Sequence, residues 1–275
     1  MREEPFELPV DGGAIRGYRA DEGQPALLLH GGAAVPDYMG PCAEQLDGLF
    51  ETFRYTQRGT PPSDGGPPYT IESHMADALA ALDLFGIERA WAIGHSWGGH
   101  LALHLTVAHP KRIAGVLCID PLGADPSVFP AFEAKLAETL TDEELARVHE
   151  IEDRRRAGEV TEAELLERFS LVWPVYFKRA TIPPPEHIGV QASIETNRSL
   201  AEHFERRTLA RRLPEVRVPA LFVHGEDDPM PPASSTATAA LIPGALVETI
   251  PDCGHFPWLE QPEAFRAAVE RLLRA

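Results

Sequence analysis

Short apolar runs alternate with helical patterns along the first 121 residues, stop alternating, and resume after residue 219. That interrupted alternation constrains the chain more than any other feature. The run Ala26-Leu27-Leu28-Leu29 ends at His30-Gly31-Gly32, Ala90 to Ile93 ends at Gly94, and Ile113 to Ile119 ends at Asp120-Pro121. Continuous apolar runs of this length, separated by helices such as Ile71–Phe85 and Trp97–Ala108, predict βαβ units and a mostly parallel sheet. Phe6–Val10 and Ala14–Tyr18 flank Asp11-Gly12-Gly13 and predict an antiparallel hairpin at the edge. Strands are also expected at Phe53–Thr56, Ala220–Val223 and Leu246–Ile250, and helices at Ala233–Leu241 and Pro262–Leu273.

From Leu122 to Leu213 the pattern is helical and heavily charged, with no buried strand. Thr141-Asp142-Glu143-Glu144 and Thr161-Glu162-Ala163-Glu164 both read as capping boxes. The expected organisation is an α/β core, residues 1–121 and 214–275, interrupted by a helical cap, residues 122–213. A chain of 275 residues buries roughly three-quarters of its unfolded surface, enough for one large core. No apolar run approaches a membrane span, and no apolar stretch follows a basic start, so no secretory leader is expected. Three scattered cysteines suit a reducing cytoplasm and form neither a disulfide framework nor a metal site. A net charge of −17 argues against nucleic-acid and membrane-surface partners.

The chemistry is carried by Gly94-His95-Ser96-Trp97-Gly98-Gly99. It matches G-x-S-x-G and lies between a predicted strand and a predicted helix. A sharp turn there lifts the Ser96 hydroxyl above the sheet edge, and the helix beginning at Trp97 favours negative charge beside it. A serine hydroxyl needs a base, and the base needs an orienting acid. His255, in Asp252-Cys253-Gly254-His255, follows the last predicted strand and is the expected base. The acid is expected at Asp228, within Gly225-Glu226-Asp227-Asp228, with Asp227 and the strand-ending Asp120 as alternatives. His95 reads as packing beside the nucleophile. Two N–H donors are needed for an oxyanion: Trp97 supplies one, and the turn His30-Gly31-Gly32-Ala33 supplies the other, from Gly32 or alternatively Ala33.

These residues together resemble the α/β-hydrolase fold superfamily over essentially the whole chain, most nearly its proline iminopeptidase-like branch. His30-Gly31-Gly32 with Asp37-Tyr38-Met39 is similar to that branch's HGGPG turn and following aromatic. Tyr55-Thr56-Gln57-Arg58-Gly59 is similar to its DQRG loop, and Gly94–Gly99 to its G-x-S-W-G elbow. Ala33-Ala34 and Thr56 depart from those patterns. The resemblance implies a serine hydrolase acting on a small ester, lactone or amide, without a cofactor or metal. An aminopeptidase, a cofactor-free perhydrolase and a non-catalytic ligand receptor are the alternatives. Glu195, Glu202 and Glu205 could hold a substrate amine, but read equally well as a solvated helix face. The aromatic run Leu171–Phe177, with Trp173, Tyr176 and Phe177, is expected to roof the pocket or, alternatively, to pack the cap on the core. Gly31, Tyr38 and Phe256 complete the expected substrate-binding set.

Overall fold

The structure is a computed structural model that describes residues 2–20, 22–179 and 182–274. Eight strands form one sheet: β1 (Glu3–Val10), β2 (Gly13–Ala20), β3 (Gln24–Leu29), β4 (Phe50–Tyr55), β5 (Ala90–His95), β6 (Ile113–Ile119), β7 (Ala220–Gly225) and β8 (Leu246–Ile250). Their spatial order is β1-β2-β4-β3-β5-β6-β7-β8. The pairings of β1 with β2 and of β2 with β4 are antiparallel; those from β4 to β8 are all parallel. The hairpin expected at the edge is therefore β1–β2.

Strand alternation sorts the core into two faces. Leu27, Leu29, Ala92, Val116, Cys118 and Phe222 join one apolar cluster. Their neighbours Ala26, Leu28, Ile93, Leu117, Ile119 and Leu221 join the other. Both faces are dry, which is why these strands read as unbroken apolar runs. Helices α1 (Gly40–Gln45), α2 (Ile71–Leu84) and α3 (Trp97–Ala108) follow β3, β4 and β5. The first face is covered by α2 and α3, through residues such as Met75, Leu82, Leu101 and Leu105.

Between β6 and β7 the described chain holds helices and no strand: α4 (Val128–Thr139), α5 (Asp142–Ala157), α6 (Glu162–Val172), α7 (Val190–Glu205) and α8 (Thr208–Arg212). Both expected capping boxes form, at the starts of α5 and α6. After β7 come α9 (Ala233–Ala239), α10 (Pro257–Glu260) and α11 (Pro262–Arg274). Phe265, Ala268, Val269 and Leu272 recur at helical spacing on α11 and pack on the second face with α1. Among the described residues no helix is long and apolar enough to cross a membrane. In an open parallel sheet, ligands bind beyond the carboxyl ends of the strands. Ser96, Asp120, Asp228 and His255 all follow such ends.

Candidate active site

Ser96 is the turn between β5 and α3, with φ 54° and ψ −119°. A side-chain-bearing residue there carries a strain of about 1–3 kcal/mol, held only because the surroundings over-determine it. The surroundings are tight. A Cβ on Gly94 would lie 2.1 Å from the Gly98 carbonyl oxygen, and one on Gly98 would lie 2.0 Å from that of Leu29. The two glycines let α3 start directly against β5 and β3. The Gln57 side chain completes the support: its Oε1 accepts from Trp97 Nε1 at 2.9 Å, and its Nε2 donates to the His30 carbonyl at 2.9 Å.

His255 Nδ1 lies 2.7 Å from Asp228 Oδ2, and both residues are buried. Asp228 Oδ1 accepts from Met230 N at 2.8 Å. Of the three carboxylates left open by the sequence, Asp228 meets His255. Asp227 instead accepts from Lys178 Nζ at 3.0 Å, near the surface. Asp120 is fully buried and accepts from Gly225 N at 2.7 Å. Burial works against the Asp228 charge, but His255 and His224 outweigh it and hold its pKa below the usual carboxylate range. Asp120 goes the opposite way: burial and the neighbouring Asp228 charge push its pKa well up. Their proximity therefore favours placing the negative charge on Asp228 rather than on Asp120.

The loop carrying His255 is tied down from several sides. His255 N donates to the Tyr176 carbonyl at 2.8 Å. The buried Glu260 accepts from Gly254 N at 3.1 Å, from Lys178 N at 2.7 Å and from Arg179 N at 2.8 Å. The imidazole stacks on Tyr176, with ring centroids 4.9 Å apart and planes 27° apart. His95, expected as packing, is fully buried; its Nε2 donates to the His255 carbonyl at 2.7 Å. No hydrogen bond joins Ser96 to His255 among the described residues, and such bonds commonly tighten only once substrate is bound.

Gly32, Ala33, Ser96 and Trp97 all line one cavity of about 390 Å³. A helix leaves its first N–H groups without intrahelical partners, which frees that of Trp97. The Gly31 N–H is already taken by Tyr38 Oη at 2.8 Å. Among the described residues the N–H groups of Gly32 and Ala33 bond nothing within the molecule.

The fold, the strained serine at a strand end and the matching sequence span decide the family. The match to the alpha/beta hydrolase family covers residues 26–268. The chain belongs to that family. This alpha/beta hydrolase is 29% identical to a 2-hydroxymuconate semialdehyde hydrolase of Pseudomonas putida, over 94% of this chain and 91% of that one. It is 22% identical to a proline iminopeptidase of Flavobacterium johnsoniae, over 88% and 87%. An alpha/beta fold family hydrolase from Bacillus anthracis superposes with a TM-score of 0.75 at 16% identity, covering 98% of this chain and 99% of that one.

The cavity of this alpha/beta hydrolase is not roofed as the sequence suggested. Tyr176 lines it, but Gly31, Tyr38, Trp173, Phe177 and Phe256 do not. Phe177 and Phe256 stack face to face, 4.7 Å between centroids, and Trp173 packs edge-on against them. Trp173 Nε1 donates to the Ile182 carbonyl at 2.7 Å, which anchors the indole outside the lining of the Ser96 cavity. Tyr38 and Trp173 border a separate cavity of about 260 Å³. Their apolar area is spent joining the helical segment to the His255 loop. The walls around Ser96 come instead from Phe129, Phe132, Leu136 and Phe169 of α4 and α6.

Glu195, Glu202 and Glu205 do not line the cavity either. Glu195 accepts from Tyr69 N and Gln191, and Glu202 pairs with Arg206. The charged lining is mixed, with arginines in excess, and was missed from sequence: Arg155, Arg156 and Arg168, beside Glu133 and Glu152. The one signal available was the helical spacing of Glu152 and Arg155. For a metal, Asp120, His224 and Asp228 bring ligand-type atoms within 4.8 Å of one another. Both His224 nitrogens are already engaged there, with Ser235 Oγ at 2.7 Å and the Met230 carbonyl at 2.6 Å. That arrangement fits a hydrogen-bonded support for Asp228 better than a metal site.

Proposed function

We propose that this protein is a serine hydrolase that cleaves a small-molecule ester, lactone or amide through an acyl-enzyme on Ser96. The observation that carries the reading is the Asp228–His255 pair held at the same strand-end edge as the strained Ser96 turn. Ser96 Oγ attacks the substrate carbonyl while His255 Nε2 takes its proton. Asp228 holds the imidazole with Nδ1–H toward itself and stabilises the imidazolium. The N–H groups of Trp97 and of Gly32 or Ala33 receive the oxyanion. Collapse of the tetrahedral intermediate breaks the bond to the leaving group, which takes the proton from His255. Water, deprotonated by His255, then releases the acid and regenerates Ser96. Residues 122–213 act as a cap that shapes the acyl pocket.

The relatives named as hydrolases of small molecules support a substrate of that size, as does a cavity of about 390 Å³. The aminopeptidase alternative draws no support from the cavity. Its two glutamates are paired, Glu133 with His149 and Glu152 with Arg155 and Arg168.

The test is a panel of p-nitrophenyl esters, lactones and aminoacyl arylamides, together with a fluorophosphonate probe. Wild type should turn over members of the first two groups and label once, at Ser96. Ser96→Ala should do neither. Labelling that persists in Ser96→Ala would overturn the assignment.

A further inference from the structure

We propose that the cavity above Ser96 contains an anion subsite built from Arg155 and Arg168, and that the substrate carries a carboxylate remote from its scissile bond. The proposal rests on the serine-hydrolase reading and adds the substrate class to it.

Arg155 on α5 and Arg168 on α6 converge on one carboxylate, Glu152. Arg155 Nε donates to Glu152 Oε2 at 2.9 Å, and Arg168 Nε meets Glu152 Oε1. All three side chains are only 16–18% exposed, and all three line the cavity that holds Ser96. Among the described residues Glu152 is the only acid paired with either arginine. Two guanidinium charges thus face one carboxylate in a largely dry place. Burial opposes the Glu152 charge, but Arg168 and Arg155 prevail and keep its pKa below the ordinary glutamate value. The cluster therefore keeps a surplus of one positive charge. Unpaired buried charge is costly, and one substrate carboxylate cancels it. A surplus of one fits a carboxylate rather than a phosphate dianion.

A plain structural role for these arginines is to clasp α5 to α6. That role is already filled by Arg147 with Glu167 and Arg154 with Glu164. Neither leaves a positive surplus, and Arg147 also meets a second acid, Glu150. The remaining charged lining groups do not cancel the excess. Glu133, hydrogen-bonded to His149, is half-exposed and screened by solvent, and Arg156 is mostly exposed and paired with Asp153.

An adjoining cavity is also lined by arginine. A second cavity of about 400 Å³ shares Phe129, Arg155, Arg156, Asn197 and Leu200 with the first and adds Arg198. Among the described residues three arginines and no acid line it. This occurs in a chain whose net charge is −17, so the arginine-rich lining runs against the molecule's overall charge. Such a lining favours anions over amines. The apolar wall between the arginines and Ser96 would take the substrate's hydrocarbon portion.

The experiment compares matched esters. On the acyl side these are mono-4-nitrophenyl glutarate and 4-nitrophenyl pentanoate; on the leaving-group side, 4-acetoxybenzoate and 4-acetoxybenzamide. Wild type should favour the anionic member of at least one pair by tenfold or more in kcat/KM. Arg168→Gln and Arg155→Gln should lower that ratio by about 10- to 100-fold, the size expected for losing a charge-assisted hydrogen bond. Arg168→Lys, which keeps the charge, should retain part of the preference. Arg147→Gln should leave the ratio where it was. Equal rates for both members of both pairs in wild type would overturn the proposal, as would a preference that survives Arg155→Gln/Arg168→Gln. If no ester turns over and Ser96 resists the fluorophosphonate, the serine reading has failed separately. Calorimetry with glutarate and with 4-hydroxybenzoate, each on wild type and Arg168→Gln, then decides the anion site. Binding lost in the variant supports it, and no binding to wild type overturns it.

Discussion

His95 Nε2 donates to the main-chain carbonyl of His255 at 2.7 Å, so the residue just before Ser96 holds the backbone of the histidine expected to deprotonate it. Because Nε2 carries the proton, Nδ1 is the acceptor for Tyr38 Oη, 2.6 Å away. That hydroxyl also accepts from Gly31 N at 2.8 Å. Burial, and then the nearby His255, drive the His95 pKa well down, which keeps the ring neutral and its tautomer fixed. The chain Gly31–Tyr38–His95–His255 thus links the turn after β3, the turn after β5 and the loop after β8.

Tyr38→Phe tests that linkage. It removes one hydroxyl and leaves two buried partners, Gly31 N–H and His95 Nδ1, without a bond. Each orphaned group costs about 1–3 kcal/mol. Urea unfolding should show a loss of about 2–4 kcal/mol. Tyr38 does not line the Ser96 cavity, so KM for a small ester should hardly move while kcat falls by about tenfold. A KM effect with unchanged kcat would place Tyr38 in substrate binding instead.

The two buried acids should respond differently to the same change. Asp228→Asn removes the carboxylate facing His255 Nδ1 and favours the wrong tautomer, a change expected to cost about 10⁴ in kcat. Asp120→Asn imitates the neutral acid that burial and Asp228 impose there. Its amide oxygen can still accept from Gly225 N, so kcat should stay within about tenfold of wild type. Steady-state turnover of one good ester decides between them. The reverse order of effects would make Asp120 the orienting acid.

Much of this site is legible in the sequence because its signals are local. Each of Gly32, Ser96, Asp228 and His255 follows an apolar strand within a few residues, and a strand end has a fixed place in a parallel sheet. The capping boxes at Thr141 and Thr161 are equally local. What escaped depends on which side of a turn or helix a side chain takes. Nothing near Tyr38 says that its hydroxyl meets His95, 57 residues away. Nothing near Trp173 says that its indole bonds the Ile182 carbonyl and stays out of the Ser96 cavity lining. The cationic lining was hidden by arithmetic: Arg155 and Arg168 sit among many acids on α5 and α6, and only the fold separates the inward face from the solvated one.

Stability should fall steeply in mild acid, and His74 provides a site-specific test. The side chain is buried, and burial, followed by Arg58 and His30, lowers its pKa from 6.5 to about 3. The unfolded chain therefore binds a proton at this position between about pH 6.5 and 3 while the folded chain does not. The contribution is fully present above pH 6.5 and is lost as pH falls through that window. Between pH 7 and pH 5 the loss from this one group is about 2 kcal/mol. His74→Gln keeps a donor for Thr196, which His74 Nε2 meets at 3.1 Å, but cannot titrate. Its unfolding free energy should therefore drop by about 2 kcal/mol less than that of wild type over the same interval. Parallel pH profiles for the two proteins would show that His74 is not kept neutral.

Gly98→Ala asks whether the elbow tolerates a single methyl. The added Cβ would sit 2.0 Å from the Leu29 carbonyl oxygen and 2.6 Å from that of His30, both backbone atoms of the neighbouring strand end. Neither can swing aside as a flexible side chain would. Relief requires α3 to lift from β3, which would also shift Trp97 and the Ser96 turn. Overpacking of a core typically costs about 1–3 kcal/mol, and a clash with fixed backbone belongs at or above the top of that range. The variant should lose at least about 3 kcal/mol in urea unfolding. Its fluorophosphonate labelling rate should fall at least tenfold in the fraction that remains folded. By contrast, a Cβ at Gly48 or Gly86 meets nothing within 4 Å. Both sit at positive φ, 75° and 67°, so alanine there should cost only about the 1 kcal/mol of left-handed backbone and leave labelling intact. Full-rate labelling of Gly98→Ala would mean that Ser96 is positioned without the close approach of α3 to β3.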